Sequence, residues 1–291
     1  MNPLHWLLPG EFSSSVMVCC TAAVIVFARG SRRVSGCAAR TSRWRGVSFY
    51  LGITLIYVPL QTGFDYFAQH MFWIHRLQHL LLHHIGPFLV ALSAPWSSMS
   101  RGLPVTWRDP VSRVVRSAPI RRLYGILQQP LIAFTLFVGL IFFWLWPSVH
   151  FRAMLSADEY KWMNWSMTLD GLLFWWLILD PRSRDEGAQI GFGIRVPIAL
   201  FAMLPQLLIG AYLTFHATII YDVYAVCGRL WPVNPITDQQ IGGLITWIPA
   251  CMMSVVGALI ALRRWMYDDT RALAARNLAG IDAVLTASQL R

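Results

Sequence analysis

Apolar stretches of roughly 17–25 residues recur along this chain, each long enough at 1.5 Å per residue to cross a hydrocarbon core. They read as seven spans at about 13–28, 47–65, 77–96, 130–147, 162–180, 196–216 and 241–262. Pro59, Pro87, Pro205 and Pro249 fall inside these stretches, where a soluble helix would break and a membrane helix tolerates a kink. Hydrophobic residues make up 56% of the sequence and charged ones 13%, more apolar surface than a soluble domain of 291 residues needs for its core. The expected fold class is all-α: a polytopic bundle of seven transmembrane helices over residues 1–267, followed by a C-terminal tail, 268–291. No internal repeat is found. The first twelve residues lack Lys and Arg, so a cleavable signal peptide is not expected.

The arrangement of positive charge argues against nucleic acid and gives the orientation. The net charge is +10, yet the Lys and Arg residues sit in segments that alternate with the spans. Twenty of the 24 fall in 29–46, 97–129, 181–195 and the tail; Arg76, Arg152, Lys161 and Arg229 fall on the other side. The positive-inside rule then puts the N-terminus outside and the C-terminus in the cytoplasm. Segment 97–129 interleaves Val105, Trp107, Val111, Val114, Val115, Ile120 and Leu123 with six arginines. It reads either as an interfacial helix on the inner leaflet or as a solvated basic loop that only fixes topology.

With this topology all eight histidines (His5, His70, His75, His79, His83, His84, His150 and His216) lie outside or in the outer half of a span. Five occupy HMFWIHRLQHLLLHH, residues 70–84. Met71, His75, His79 and His83 are four apart, so helical neighbours stack on one side and His75 and His79 can share an ion. Imidazoles suit copper and zinc, and a thioether such as Met71 tilts the preference toward Cu(I). A lone histidine at an interface, as at His5 or His216, is ordinarily an amphipathic side chain with a wet tip. Two histidines on one helix can equally ligate a haem or bond to neighbouring helices.

Other polar groups carry weaker signals. Asp170, mid-span, must be protonated, paired or wet, and serves either function or helix packing. Cys19, Cys20 and Cys251 with Met252 and Met253 could pass on Cu(I), but apolar filler is the simpler role. With Cys37 and Cys227 they show no CxxC spacing, so neither a disulfide framework nor a zinc ribbon is expected. NPITDQQIGG, 234–243, brings Asp238, Gln239 and Gln240 to the mouth of the last span; an N-cap at Thr237 or Asp238 explains one residue but not the glutamines. No nucleophile–base–orienter set, phosphate loop or GxSxG is present, so no enzyme is expected. The only lysine, Lys161, is at an interface rather than in the last helix, which disfavours a retinal protein.

Four segments resemble the CtaG family of membrane proteins, assembly factors of caa3-type cytochrome c oxidase. HRLQHLLLHHIGPFLVALSAP (75–95) is similar to the family's HMxQHxLL segment, and GLLFWW (171–176), FAMLPQLLIGAYLTF (201–215) and DQQIGGLITWIP (238–249) follow in the family's order. The resemblance covers about 60–267. It implies a non-enzymatic role in maturing a haem–copper oxidase in the bacterial inner membrane, at the copper-insertion stage on the outer face. The implied partners are oxidase subunits, membrane lipid and periplasmic copper chaperones. His75 and His79 fall on the family's paired histidines, His70 on a frequent upstream one, and Asp238, Gln239 and Gln240 on its DQQ run. The chain departs from the family where others often carry histidines: WLWP (144–147) has Leu145, and the entry to the fifth span has Tyr160 and Asn164. Either His150, three residues after Pro147, compensates, or this member binds metal weakly, differently or not at all. The expected ligands for transient copper are His75 and His79, with His70, Met71 or His83 completing the shell. A haem-binding electron carrier, using a pair such as His79 and His216, and a metal-free scaffold for oxidase subunits are the alternatives.

Overall fold

The computed structural model describes residues 13–33 and 38–289; His5 and Cys37 lie outside them. Among these residues there is no strand. In order, the helices are α1 (Ser14–Ser31), α2 (Ala38–Gln61), α3 (Gly63–His70) and α4 (Phe72–His79). A π-helical segment (Leu80–Ile85) leads to α5 (Gly86–Leu92), α6 (Trp96–Gly102), α7 (Val105–Arg116) and α8 (Ala118–Leu127). Then come α9 (Pro130–Leu145), α10 (Pro147–Leu155), α11 (Ala157–Leu179), α12 (Phe192–Phe215), α13 (Val223–Val226) and α14 (Pro235–Gln289).

Among the described residues three helices are long and apolar enough to cross a membrane: α1, α12 and the Pro235–Arg271 portion of α14. The count reaches five if Phe72–Leu92 with Trp96–Gly102, bent by 73°, and Ala118–Leu127 with Pro130–Leu145, bent by 68°, are each one span. The other two stretches read from the sequence correspond to α2 and α11, of 24 and 23 residues, long enough at 1.5 Å per residue but more polar. In α11 that polarity is turned inward: Tyr160, Asn164, Thr168 and Asp170 are all buried. Large apolar side chains on α12 (Phe201, Leu204, Leu208, Tyr212) instead stay exposed, as expected of a face whose solvent is lipid.

The basic stretch 97–129 forms helices, not a loop. α7 and α8 bury no residue and meet at the extended Ser117, with Trp107, Val114, Ile120 and Leu123 on their surface. Such exposed amphipathic helices suit an interfacial position. Arg195, counted from the sequence among the loop arginines, is instead fully buried in α12, where its Nε and Nη2 donate to the Ile190 carbonyl at 3.2 and 2.9 Å. α14 begins at Pro235, with Asn234 Oδ1 accepting from Ile236 N at 2.9 Å, so the cap lies three to four residues before the expected Thr237 or Asp238. It runs to Gln289, through the expected boundary at 267.

Two features aim the histidine stretch. Met71 is extended (φ −139°, ψ 125°) and separates α3 from α4, so the four-residue stripe begins at His75. Pro87 cannot donate to the His83 carbonyl four residues earlier, and the chain passes through Leu80–Ile85 in π register, a local widening that brings both His83 and His84 inside. The freed His83 carbonyl accepts from Trp175 Nε1 at 3.2 Å. α11 lies so close there that a Cβ on Gly171 would sit 2.4 Å from the same oxygen. Glycine is needed at that point because backbone meets backbone.

Candidate functional site: a sealed histidine cluster

α4 has Arg76, His75, Gln78 and His79 buried, because it is packed on both sides. α14 covers it closely enough that a Cβ on Gly242 would strike the Phe72 ring at 2.4 Å. His75 and His79 are 0% and 1% exposed, with ring centres 4.5 Å apart. All four of their ring nitrogens lack a hydrogen-bond partner. The Ala68 carbonyl and the Asn164 side chain lie beside these rings but outside hydrogen-bonding geometry, and Asn164 Oδ1 is itself unpartnered. Buried polar groups are nearly always satisfied, by protein, water or an ion, so this concentration of orphans makes the pair the candidate site.

The third imidazole comes from α10. His150 is fully buried, its ring centre 5.1 Å from that of His75. Its Nδ1 faces the Trp144 carbonyl at 3.0 Å and so must carry the proton; its Nε2 then accepts from the Tyr224 hydroxyl at 2.9 Å. Burial lowers His150 to about 3, consistent with a neutral ring. Burial, with Asp238 as a lesser cause, pushes the Tyr224 phenol well above its ordinary value, so the hydroxyl keeps its proton for this bond. Tyr160, Tyr221 and Phe72 complete the wall; Tyr221 stacks on Phe72 at 4.4 Å and donates to the Leu145 carbonyl at 2.7 Å. Tyr160 and Asn164, where the resemblance led one to look for histidines, thus border the same cluster.

Below the pair, His83 Nε2 meets Asp170 Oδ2 at 3.0 Å, and His83 Nδ1 lies 3.4 Å from His84 Nε2. The mid-span carboxylate is therefore paired. Arg76 donates from Nε to Thr246 Oγ1 at 2.9 Å. A cavity of about 10 Å³, room for roughly one water, lies among Arg76, His79, His83, His84, Met167 and Thr246. A second, of about 270 Å³, is lined by Asp65, Gln69, Tyr160, Lys161 and Asn164, and so shares Tyr160 and Asn164 with the border of the cluster.

The remaining expected residues fall elsewhere. His70 is partly exposed, its Nδ1 on the Tyr66 carbonyl at 2.7 Å. Met71 is buried with Phe67, Ala68 and Ile74 in a separate apolar cluster. The extended turn at Met71 is what parts both from the pair. His216 faces Thr218 Oγ1 at 2.9 Å and Tyr212, not His79. Cys19, Cys20, Cys227 and Cys251 are scattered free thiols. Among the described residues no three His, Cys, Asp or Glu side chains are grouped to hold a metal ion. At this site His150 has both nitrogens engaged, leaving His75 and His79 as a pair.

Asp238 and Gln239 hold the frame. Asp238 accepts from Phe72 N at 3.2 Å and Trp73 N at 2.9 Å, capping α4 from another helix, and pairs with Arg229. Gln239 accepts from Ile220 N at 2.7 Å and donates to the Thr218 carbonyl at 3.1 Å, fastening the segment that carries α13. Gln240 is half-buried. Asp65, Gln78 and Tyr160 form a network the sequence reading missed: Gln78 Nε2 donates to Asp65 at 2.7 Å and to the Pro59 carbonyl at 2.8 Å, and the Tyr160 hydroxyl lies 2.9 Å from Asp65. A signal was available, since Arg76 and Gln78 share a turn with the histidines inside an otherwise apolar stretch.

Helices apolar enough for a membrane, packed around a buried group of imidazoles, define an all-helical membrane-type protein. The chain belongs to the cytochrome c oxidase caa3 assembly factor (CtaG) family, which it matches over residues 24–268. It is also similar to uncharacterised proteins of Mycobacterium bovis and Mycobacterium tuberculosis, 28% identical over 242 residues, and to one of Mycobacterium leprae, 24% identical over 245. Each alignment covers 78% of this chain and 35% of the relative, so the chain spans about a third of their length. No solved structure matches.

Proposed function

We propose that this protein is a seven-span factor of the bacterial inner membrane, N-terminus outside, that binds copper transiently at His75 and His79 and passes it to a cytochrome c oxidase. The observation that carries the proposal is the four unpartnered nitrogens on two adjacent, buried imidazoles. Neutral imidazole nitrogen is a fitting donor for copper, and a ring spacing of 4.5 Å allows two such donors to share one ion. Family membership supports the oxidase as client, and the asymmetry of the arginines supports placing the cluster toward the outer face.

The site is suited to handing metal on. Two ligands make an open centre, whereas four would retain the ion. The buried Arg76 guanidinium beside the pair adds a fixed positive charge that opposes long occupancy by a cation. The 270 Å³ cavity, with Asp65 and Asn164 on its wall, shares Tyr160 and Asn164 with the border of the cluster and is the proposed side of approach for the incoming ion. The inner cavity of about 10 Å³ favours an ion-sized cargo over a haem, which needs a pocket of several hundred Å³. The role is delivery, not catalysis; the client is an oxidase subunit, a periplasmic copper chaperone is the expected donor, and lipid surrounds the bundle. Deleting the gene and complementing with wild type or with His75→Ala/His79→Ala tests this. The double variant should leave the oxidase assembled but depleted of copper. Normal copper with unstable oxidase subunits would replace this reading with that of a scaffold.

A further inference from the structure

His150 reaches the His75/His79 pair from a different helix. Imidazoles that share one ion through metal–nitrogen bonds of about 2.0 Å hold their ring centres roughly 4.5–5.5 Å apart. The separations here are 4.5 Å for His75–His79 and 5.1 Å for His75–His150, so the third ring stands at such a separation from His75, one member of the pair. It is withheld by two bonds of unequal meaning. The bond from Nδ1–H to the Trp144 carbonyl fixes the tautomer and would orient a ligating ring, as partners of metal-bound histidines do. The bond from the Tyr224 hydroxyl occupies the only lone pair left.

We propose that His150 is a latent third ligand for the metal held by His75 and His79, and that the Tyr224 hydroxyl is the latch that keeps it out of the site. Tyr224 lies in α13, on the segment between α12 and α14. That segment is anchored at Ile220 and Thr218 by Gln239, at Arg229 by Asp238, and through Tyr221 to the Leu145 carbonyl. Turning the Tyr224 hydroxyl away from His150 breaks one hydrogen bond and frees a third imidazole for the two-imidazole site; restoring the bond withdraws that donor. The segment thus sets how tightly metal is kept, and Gln239, the first glutamine of the DQQ run, is a positioning residue for the latch.

The inference rests on the pair being a metal site, and the test separates the two. Affinity for Cu(I) alone is measured anaerobically on the full chain in detergent, by competition with a chromophoric chelator, while X-ray absorption counts nitrogen donors. Tyr224→Phe keeps the ring and removes the latch; it should tighten binding about tenfold, the worth of one hydrogen bond, and raise the donor count from two to three. Gln239→Ala, which loosens the segment by a separate route, should shift binding the same way. Both effects should vanish in a His150→Ala background. Unchanged affinity in Tyr224→Phe and Gln239→Ala, or tightening that persists without His150, overturns the latch while leaving the pair intact. Copper binding that survives His75→Ala/His79→Ala overturns the pair and the latch together.

Discussion

Replacing Asp238 tests the frame on which the histidine pair depends. The carboxylate is fully buried, accepts from the first two backbone N–H groups of α4 at 3.2 and 2.9 Å, and neutralises Arg229, whose side chain is 14% exposed. Asp238→Ala leaves a largely buried guanidinium without its counter-charge, a loss of about 3–5 kcal/mol, with two helix N–H groups unpaired besides. Asp238→Asn keeps an acceptor for one N–H but not the ion pair and should lose about 1.5–3 kcal/mol, the worth of a hydrogen bond to a charged group. Reversible unfolding in mixed micelles against SDS mole fraction reads both. Because His75 lies within the first turn of α4, the Ala variant should also weaken Cu(I) binding. A loss below about 1 kcal/mol for Asp238→Ala, or Asn as damaging as Ala, would refute the claim that this carboxylate holds α4 by charge.

Gly171→Ala forces a Cβ to within 2.4 Å of the His83 carbonyl and should cost about 1–3 kcal/mol, whereas Gly139→Ala, with nothing within 4 Å, should be neutral or mildly stabilising; thermal melts compare them. Trp175→Phe removes the N–H that serves the His83 carbonyl, and because Pro87 cannot replace it the same melts should record a loss of about 1–3 kcal/mol. Asp170→Leu strands His83 Nε2 and should destabilise by a similar amount, while Asp170→Asn, which can still accept from that ring, should cost less than half as much in equilibrium unfolding.

The helices and the pair were legible because they follow from local rules. Apolar length gave the helical stretches, and i, i+4 spacing put His75 beside His79. What lay outside those rules was decided by contacts distant in sequence. Met71 was grouped with the histidines by spacing alone, yet an extended residue at that position, with Asp238 capping the helix behind it, sends the thioether into another cluster. Asp238 looked like the cap of its own helix and caps a different one. The π segment follows from Pro87 losing a donor, but where the freed carbonyl would turn depended on Trp175. Tyr224 carried no sequence signal, because a tyrosine in a loop acquires meaning only from the imidazole it meets.

Anaerobic titration of purified protein with Cu(I) addresses the central claim most directly. Wild type should take up one Cu(I) per chain and His75→Ala/His79→Ala none, with both proteins folded; equal uptake by the two would contradict it.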